Sequence, residues 1–259
     1  MPRICVGILA RNNEGEIAEC LTTAAWADER LVVLDTRSTD RTAEIARSLG
    51  ARVVAHRFED FGRQREFGLD LPTSEWLFYL DTDERITPAL AEELRQVVCV
   101  EAFVGWWVPR RNIIWGREIC HGGWHPDYQL RLLRLGHARY DLTRQVHEVV
   151  VLDGAAGHLR EPLIHHNYRT VAEFVAKQGP YADYEARIRH AQGVRPKPWT
   201  FVLQPLREFW RHYVRLHGYQ DGLHGLLLCL LVAYYYGWVT TWRLARLWRK
   251  AKSQDRKRG

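Results

Sequence analysis

The sequence predicts an α/β protein built on a mainly parallel central sheet, followed by a helical C-terminal part. Two observations carry that expectation. Apolar runs of strand length alternate with helix-like stretches through the first hundred residues, and two of those runs break off on an aspartate, Asp35 and Asp81. Regular alternation of strand and helix implies crossover connections and a sheet covered on both faces. Ligands of such sheets sit beyond the carboxyl ends of the strands, so the two aspartates are expected to face one crevice. With 259 residues and 46% hydrophobic side chains, the chain is long enough for one full core and an appendage.

The elements follow in order. ICVGILA, from Ile4, reads as a buried first strand; it ends at RNNEGE and is too short and wrongly flanked for a secretory signal. A helix is expected from about Gly15 to Trp26. LVVLD is a second strand. STDRTAEIARSLG is a helix with Ser38 or Asp40 suited to its N-cap and Gly50 to its C-cap. ARVVAH, a helical FGRQREFGLDL, the strand EWLFYLD and a helical ALAEELRQVV after Pro88 continue the pattern. Residues 1–190 are expected to form the α/β domain and 191–259 the helical segment.

Charge is placed unevenly. From Arg243 to Gly259 eight Lys/Arg face the single acid Asp255, a charge of +7, whereas the whole chain carries +6. The basic character therefore belongs to the tail, and the even spread of cations and aromatics expected of a nucleic-acid binder is missing from the first 200 residues. Just before the tail, LLLCLLVAYYYGWVTTW (Leu226 to Trp242) is 17 residues without a charge, crowded with Tyr and Trp in its second half. That is the lower limit for crossing a bilayer. Aromatics at the interface and a basic cluster behind them suit a helix lying in the cytoplasmic face of a membrane, and the other reading is a core helix with a solvated basic end. Five scattered cysteines (Cys5, Cys20, Cys99, Cys120, Cys229), without a Cys-x-x-Cys pair or a glycosylation sequon, fit a reducing, cytosolic setting.

The stretch WLFYLDTDERITP places three acids in four positions, Asp81, Asp83 and Glu84, behind a run of large apolar residues. Charge at a buried strand end needs a cation. No G-x-x-x-x-G-K-[ST] loop or G-x-G-x-x-G turn is present, so a nucleotide's phosphates would need another neutraliser. Mg²⁺ or Mn²⁺ between Asp81, Asp83 and a diphosphate would serve, because hard cations take carboxylate and phosphate oxygens together.

Together, ARNNEGEIAECL, LDTRSTDRT and YLDTDE resemble the successive motifs of inverting family 2 glycosyltransferases with the GT-A fold. GGWHPDYQLRLLR, VHE, IHHNY and GYQDGLHG are similar to the subgroup that contains lipopolysaccharide inner-core glucosyltransferases. The resemblance runs from about Ile4 to Tyr236, and it departs at Arg37, where the family usually has a small residue. It implies transfer of a hexose from a nucleotide sugar, UDP-linked, to a lipid-linked or core-oligosaccharide acceptor at the inner face of the cytoplasmic membrane, by a peripheral or monotopic protein. Partners are then a nucleotide sugar, a glycolipid or oligosaccharide and the membrane surface, and nucleic acid is not among them.

Roles follow from chemistry and resemblance together. Ala10, Arg11, Asn13, Asp35 and Asp81 are expected around the nucleotide, and Asp81, Asp83 and His147 around the metal. Glu148 is the expected base for the acceptor hydroxyl, with Asp127 in reserve. Trp124, His125, Tyr128 and Arg131, in a stretch that also contains Trp115, Arg110, Arg111 and Arg134, would form an acceptor wall by stacking and charge. Two alternatives stand beside this. His121, His125, His147, His165 and His166 could join Asp81 and Asp83 in a metal-dependent hydrolase, although adjacent histidines on a strand point to opposite faces. A sugar- or lipid-binding protein without turnover on the same fold is the other.

Overall fold

A computed structural model describes residues 1–142 and 149–258. The chain divides into two compact units, one made of residues 1–111 and 127–166, the other of 112–126 and 167–259. The boundary falls upstream of residue 190, and the long helix Val171–Ala191 that follows it packs on the C-terminal helix.

The first unit holds β1 (Ile4–Ala10), α1 (Ile17–Thr23), β2 (Glu29–Asp35), α2 (Thr42–Ser48), β3 (Arg52–His56), α3 (Phe61–Leu69), β4 (Trp76–Leu80), β5 (Glu84–Arg85) and α4 (Pro88–Val97). After these come β6 (Gly105–Ile114) and β7 (Arg117–Glu118), which run into the second unit, then β8 (Tyr128–Arg134), β9 (Ala138–Tyr140), β10 (Val150–Leu152), β11 (Ala156–His158) and β12 (Leu163–Tyr168). The main sheet has the order β3-β2-β1-β4-β8-β6-β12-β5. Strands β1 to β4 run parallel, and β8 enters antiparallel to β4.

Alternation along β1 explains the two-sided core. Ile4, Val6 and Ile8 pack with Ile17 and Leu21 of α1 and Leu90 and Leu94 of α4. Cys5 points the other way, among Leu31, Leu77, Tyr79 and Tyr140. This is the period-2 geometry of a strand buried on both faces, where an unbroken apolar run is the expected sequence. Helix ends are set locally: Thr87 accepts from Leu90 N at 3.1 Å ahead of Pro88, and Asp60 accepts from Arg63 N at 2.8 Å. Gly50 follows α2 with φ +77°, the left-handed geometry expected of a residue just past a helix end. At the start of α2, Asp40 rather than Ser38 accepts from Thr42 N, at 3.1 Å.

The second unit contains α5 (Val171–Ala191), α6 (Thr200–Phe209), α7 (Gly222–Val232) and α8 (Thr240–Arg258). A π-helical segment, Ala233–Val239, joins α7 to α8, so that one helical run of 36 residues, Gly218–Ser253, is long and apolar enough to cross a membrane. Gly237 is required there: a Cβ would stand 2.5 Å from Pro205 Cα of α6. Asp221, 6% exposed, accepts from the backbone N–H of His121 at 2.9 Å and from that of Cys120 at 3.3 Å, which gives the GYQDGLHG motif a structural task in holding the 120–121 turn.

Candidate active site

The strand order reverses between β1 and β4, and a crevice of this kind opens outside the carboxyl ends of the strands at such a point. Register places the sequence-singled residues there. Ala10 pairs with Leu34, one residue before Asp35, and Ile8 pairs with Leu80, one residue before Asp81.

Backbone and side chains weld the two loops past β1 and β2. Asn12 Oδ1 accepts from Thr39 N at 2.8 Å, Asn13 N donates to Thr42 Oγ1 at 2.8 Å, and Glu14 N donates to Asp40 at 2.9 Å. Asn13 also begins α1 by accepting from Glu16 N and Ile17 N. The conspicuous residues of RNNEGE and TRSTDRT are thus largely each other's partners.

Asp35, 2% exposed, is held by its own neighbour. Arg37 Nη2 lies 2.7 Å from Oδ2 and Arg37 Nε 3.1 Å from Oδ1, while Arg11 Nε stands 3.5 Å from Oδ2. The Arg37 hydrogen bonds draw the Asp35 carboxyl down to about 2. The departure at position 37 noted in the sequence therefore covers the acid expected to meet the nucleotide.

Past β4, most of the charge is answered by arginine. Arg65 Nη2 donates to Asp81 Oδ1 at 2.9 Å, and Arg131 Nη2 donates to Asp81 Oδ2. The same Arg131 nitrogen lies 2.9 Å from Glu84 Oε1; Arg110 Nη1 reaches Glu84 at 3.3 Å and Arg110 Nη2 reaches Asp127 at 2.7 Å. Arg65, Asp81, Arg131, Glu84, Arg110 and Asp127 thus alternate in sign along one row. Burial pushes the Asp81 carboxyl up, but Arg131 and Arg65 outweigh it and hold the group well below the usual carboxylate range. Glu84 also closes the turn, accepting from Asp81 N at 2.9 Å. Asp83 lies outside the row: His165 Nε2 is 3.6 Å from its carboxylate, and its carbonyl accepts from His166 N at 2.9 Å.

This arrangement reassigns Arg131. An acceptor contact was expected of it, but it is 3% exposed and spent between Asp81 and Glu84. Arg65 was not singled out in the sequence. The signal was the uncompensated charge of the DTDE run, which demands buried cations without saying from which helix or strand they come. Of the other residues, Tyr128 is exposed and meets His158 edge-on at 5.3 Å in the first unit. Trp124, in the second unit, meets Tyr168 edge-on at 6.2 Å and lines a cavity of about 400 Å³ with Gln178 and Tyr236. His125 is exposed in that unit. His147 and Glu148 lie outside the described residues. His121 is engaged by Asp221 at 3.1 Å, and no group of three or more His, Cys, Asp or Glu able to hold a metal occurs among the described residues.

That donor set does not fit an all-protein metal cage. It is compatible with a hard cation that keeps water and takes one or two carboxylates together with substrate phosphates, which Asp83 would hold. Both Asp81 oxygens already accept from guanidinium groups, so Asp81 anchors the arginine row beside such a site.

A doubly covered, mainly parallel sheet with its charged residues gathered past β1, β2 and β4 defines the α/β class whose ligands bind outside the carboxyl ends of the strands. The model of glycosyl transferase family 2 matches residues 5–166, more than half of the chain, and the chain belongs to that family. It is 29% identical over 235 residues to the lipopolysaccharide core biosynthesis glycosyltransferase LpsC of Rhizobium meliloti, covering 88% of this chain and 87% of the relative. Among solved structures it is similar to S. aureus TarS 1-349, with TM-score 0.46 and 12% identity over 96% of this chain and 92% of that one. It is also similar to glucosyl-3-phosphoglycerate synthase from Mycobacterium tuberculosis in complex with Mn²⁺, UDP and phosphoglyceric acid, with TM-score 0.38 and 22% identity. That match covers 42% of this chain and 44% of the synthase.

Proposed function

We propose that this family 2 member is an inverting hexosyltransferase, taking its sugar from a UDP-linked donor and passing it to a lipid-linked or core-oligosaccharide acceptor at the cytoplasmic face of the membrane. The observation that carries the reading is Asp83: at the carboxyl edge of the sheet it stands apart from an arginine row that answers Asp81 and Glu84. The Rhizobium relative's role in lipopolysaccharide core biosynthesis supports the acceptor class.

In this reading residues 1–190 carry catalysis. Asp35 contacts the base or ribose, with Ala10, Arg11 and Asn13 flanking the nucleotide. Asp83, with His147 as the other residue assigned to the metal, would hold Mg²⁺ or Mn²⁺, which would supply positive charge against the diphosphate. An acceptor oxygen attacks the anomeric carbon as the bond from that carbon to the diphosphate oxygen breaks on the opposite side. Glu148 takes the hydroxyl proton, and the diphosphate leaves with the bonding pair. Asp127 is held ready by Arg110 as the second candidate base. Trp124, His125 and Tyr128 meet the acceptor sugar, and residues 191–259 attach the protein to the membrane, chiefly through 226–242 and the basic tail.

The test is a thermal-shift screen of the whole protein against UDP, GDP, ADP and CMP and their sugars, each with and without Mn²⁺. Stabilisation by UDP and its hexoses only with metal is the expected result. Absence of a shift with every nucleotide would overturn the reading.

A further inference from the structure

Helix α6 is amphipathic the wrong way round for a helix in water. Gln204 and Glu208 are buried, at 7% and 8% exposure, and pair with each other at 2.8 Å. Pro205 lies against Gly237 on the same inner side. Trp199, Val202, Leu203, Leu206 and Trp210 are between 57% and 64% exposed. At 3.6 residues per turn these five positions fall on one side of the helix, a continuous apolar stripe with a tryptophan at each end. A stripe of this kind on a soluble protein marks a surface that is covered in use.

Cations at its N-terminal end indicate the cover. A cavity of about 860 Å³ there is lined by Arg195, Lys197, Arg249 and Lys252 with Phe201 and Trp248, and no acid is among its described lining residues. The Arg195 guanidinium lies over the Trp248 ring at 4.6 Å, and Trp248 Nε1 donates to Val194 O at 2.7 Å, so the cavity wall is built rather than accidental. The Lys197 ammonium stands over Trp199, the first residue of the stripe, at 5.1 Å. An apolar face rimmed by cations and interfacial tryptophans is complementary to the surface of an anionic bilayer.

The neighbouring helix argues for lying rather than crossing. α8 is pinned to α5 by Arg243, which pairs with Asp183 at 2.6 Å and donates to Gly179 O. α5 also carries Lys177 and the Glu185–Arg189 pair, charges that a crossing helix would drag into hydrocarbon.

We propose that α6 lies in the plane of an anionic phospholipid leaflet, its Trp199-to-Trp210 stripe at the acyl boundary, and that the Arg195–Lys252 cavity takes a phosphate-bearing lipid headgroup of that leaflet. This rests on the membrane attachment read for residues 226–259, but assigns it to a separate element and adds a headgroup site.

The experiment is flotation of the full-length protein with vesicles of phosphatidylcholine alone, or of equal parts phosphatidylcholine and phosphatidylglycerol. The double variant Leu203→Glu/Leu206→Glu should partition at least about tenfold less into the mixed vesicles, with its nucleotide-dependent thermal shift unchanged. Arg195→Glu/Lys197→Glu should lose about tenfold on mixed vesicles and little on phosphatidylcholine. Tryptophan quenching by brominated lipid is a second measurement on conservative variants, and Trp199→Phe/Trp210→Phe should remove much of it. Wild-type binding by both charge-altered variants would overturn the proposal and leave the 226–259 anchor standing. Wild-type protein that floats with neither vesicle would overturn both. A fall in molecular mass of Leu203→Glu/Leu206→Glu in ultracentrifugation, with vesicle binding intact, would make the stripe a self-association face and overturn the proposal.

Discussion

Arg131 Nη2 stands 2.9 Å from Glu84 Oε1, and the two side chains keep 4% and 0% of their surface in solvent. They lie on β8 and β5, which are not neighbours in the sheet. Removing one partner of a buried pair leaves a bare charge, a loss of about 3–5 kcal/mol. Arg110 still reaches Glu84 and Arg65 still reaches Asp81, so Arg131→Met is expected to destabilise the protein in urea unfolding by no more than that amount, and Arg131→Lys by less, because a lysine keeps the charge without the planar fork. Unchanged stability with only a raised acceptor KM would return Arg131 to the acceptor wall.

Asp81 and Asp83 should separate in their effects. Asp81→Ala leaves Arg65 and Arg131 short of a carboxylate and should cost about 1–3 kcal/mol in thermal or urea unfolding. Asp83→Ala should leave stability near wild type and abolish metal-dependent UDP binding in calorimetry. Undiminished UDP affinity of Asp83→Ala in the presence of metal would refute the diphosphate reading.

Arg37 covers the acid assigned to the nucleotide, and the pair is half exposed on the arginine side. Solvent screens such a pair, so Arg37→Ser should tighten UDP binding only modestly, roughly two- to fivefold, by freeing Asp35. Weaker binding would make Arg37 itself a nucleotide contact.

The same pair gives an acid-side signature. The Asp35 carboxyl is drawn from 3.8 down to about 2, so the stability it contributes is fully present above 3.8 and is lost as pH falls towards 2. Thermal melts of wild type should show that loss, and Arg37→Ser should show less of it over the same interval. Identical acid profiles would mean that the carboxylate is not held by Arg37 in solution.

Glu148→Gln should retain UDP-sugar binding and lose transfer by roughly 10² to 10⁴, the usual contribution of a general base. Turnover close to wild type would move the role to Asp127, to be checked in Asp127→Asn.

The front of the fold was legible because its signals are local. Strands β1 to β4 and helices α1 to α4 lie where apolar runs and turn residues put them, since a strand buried on both faces needs an unbroken apolar run, whereas the short β5, Glu84–Arg85, carries no such signal. Asp35 and Asp81 were placed at one edge by parallel topology alone. Less legible was which charge answers which. Nothing in the spacing of FGRQREFGLDL or DYQLRLLR ties Arg65 and Arg131 to an acid 16 or 50 residues away. The inverted α6 was also hidden, because only the packing shows Gln204 and Glu208 on the inside and the Leu and Val side chains outside.

Sequence by itself thus determined the α/β order, the carboxylate edge and the basic tail, each written in residues that are neighbours along the chain. Only the tertiary structure decided that Asp81 and Glu84 are neutralised by arginine while Asp83 stands apart, and which side of α6 faces out. Charge compensation and burial are set by distances in space, which the folded chain alone defines.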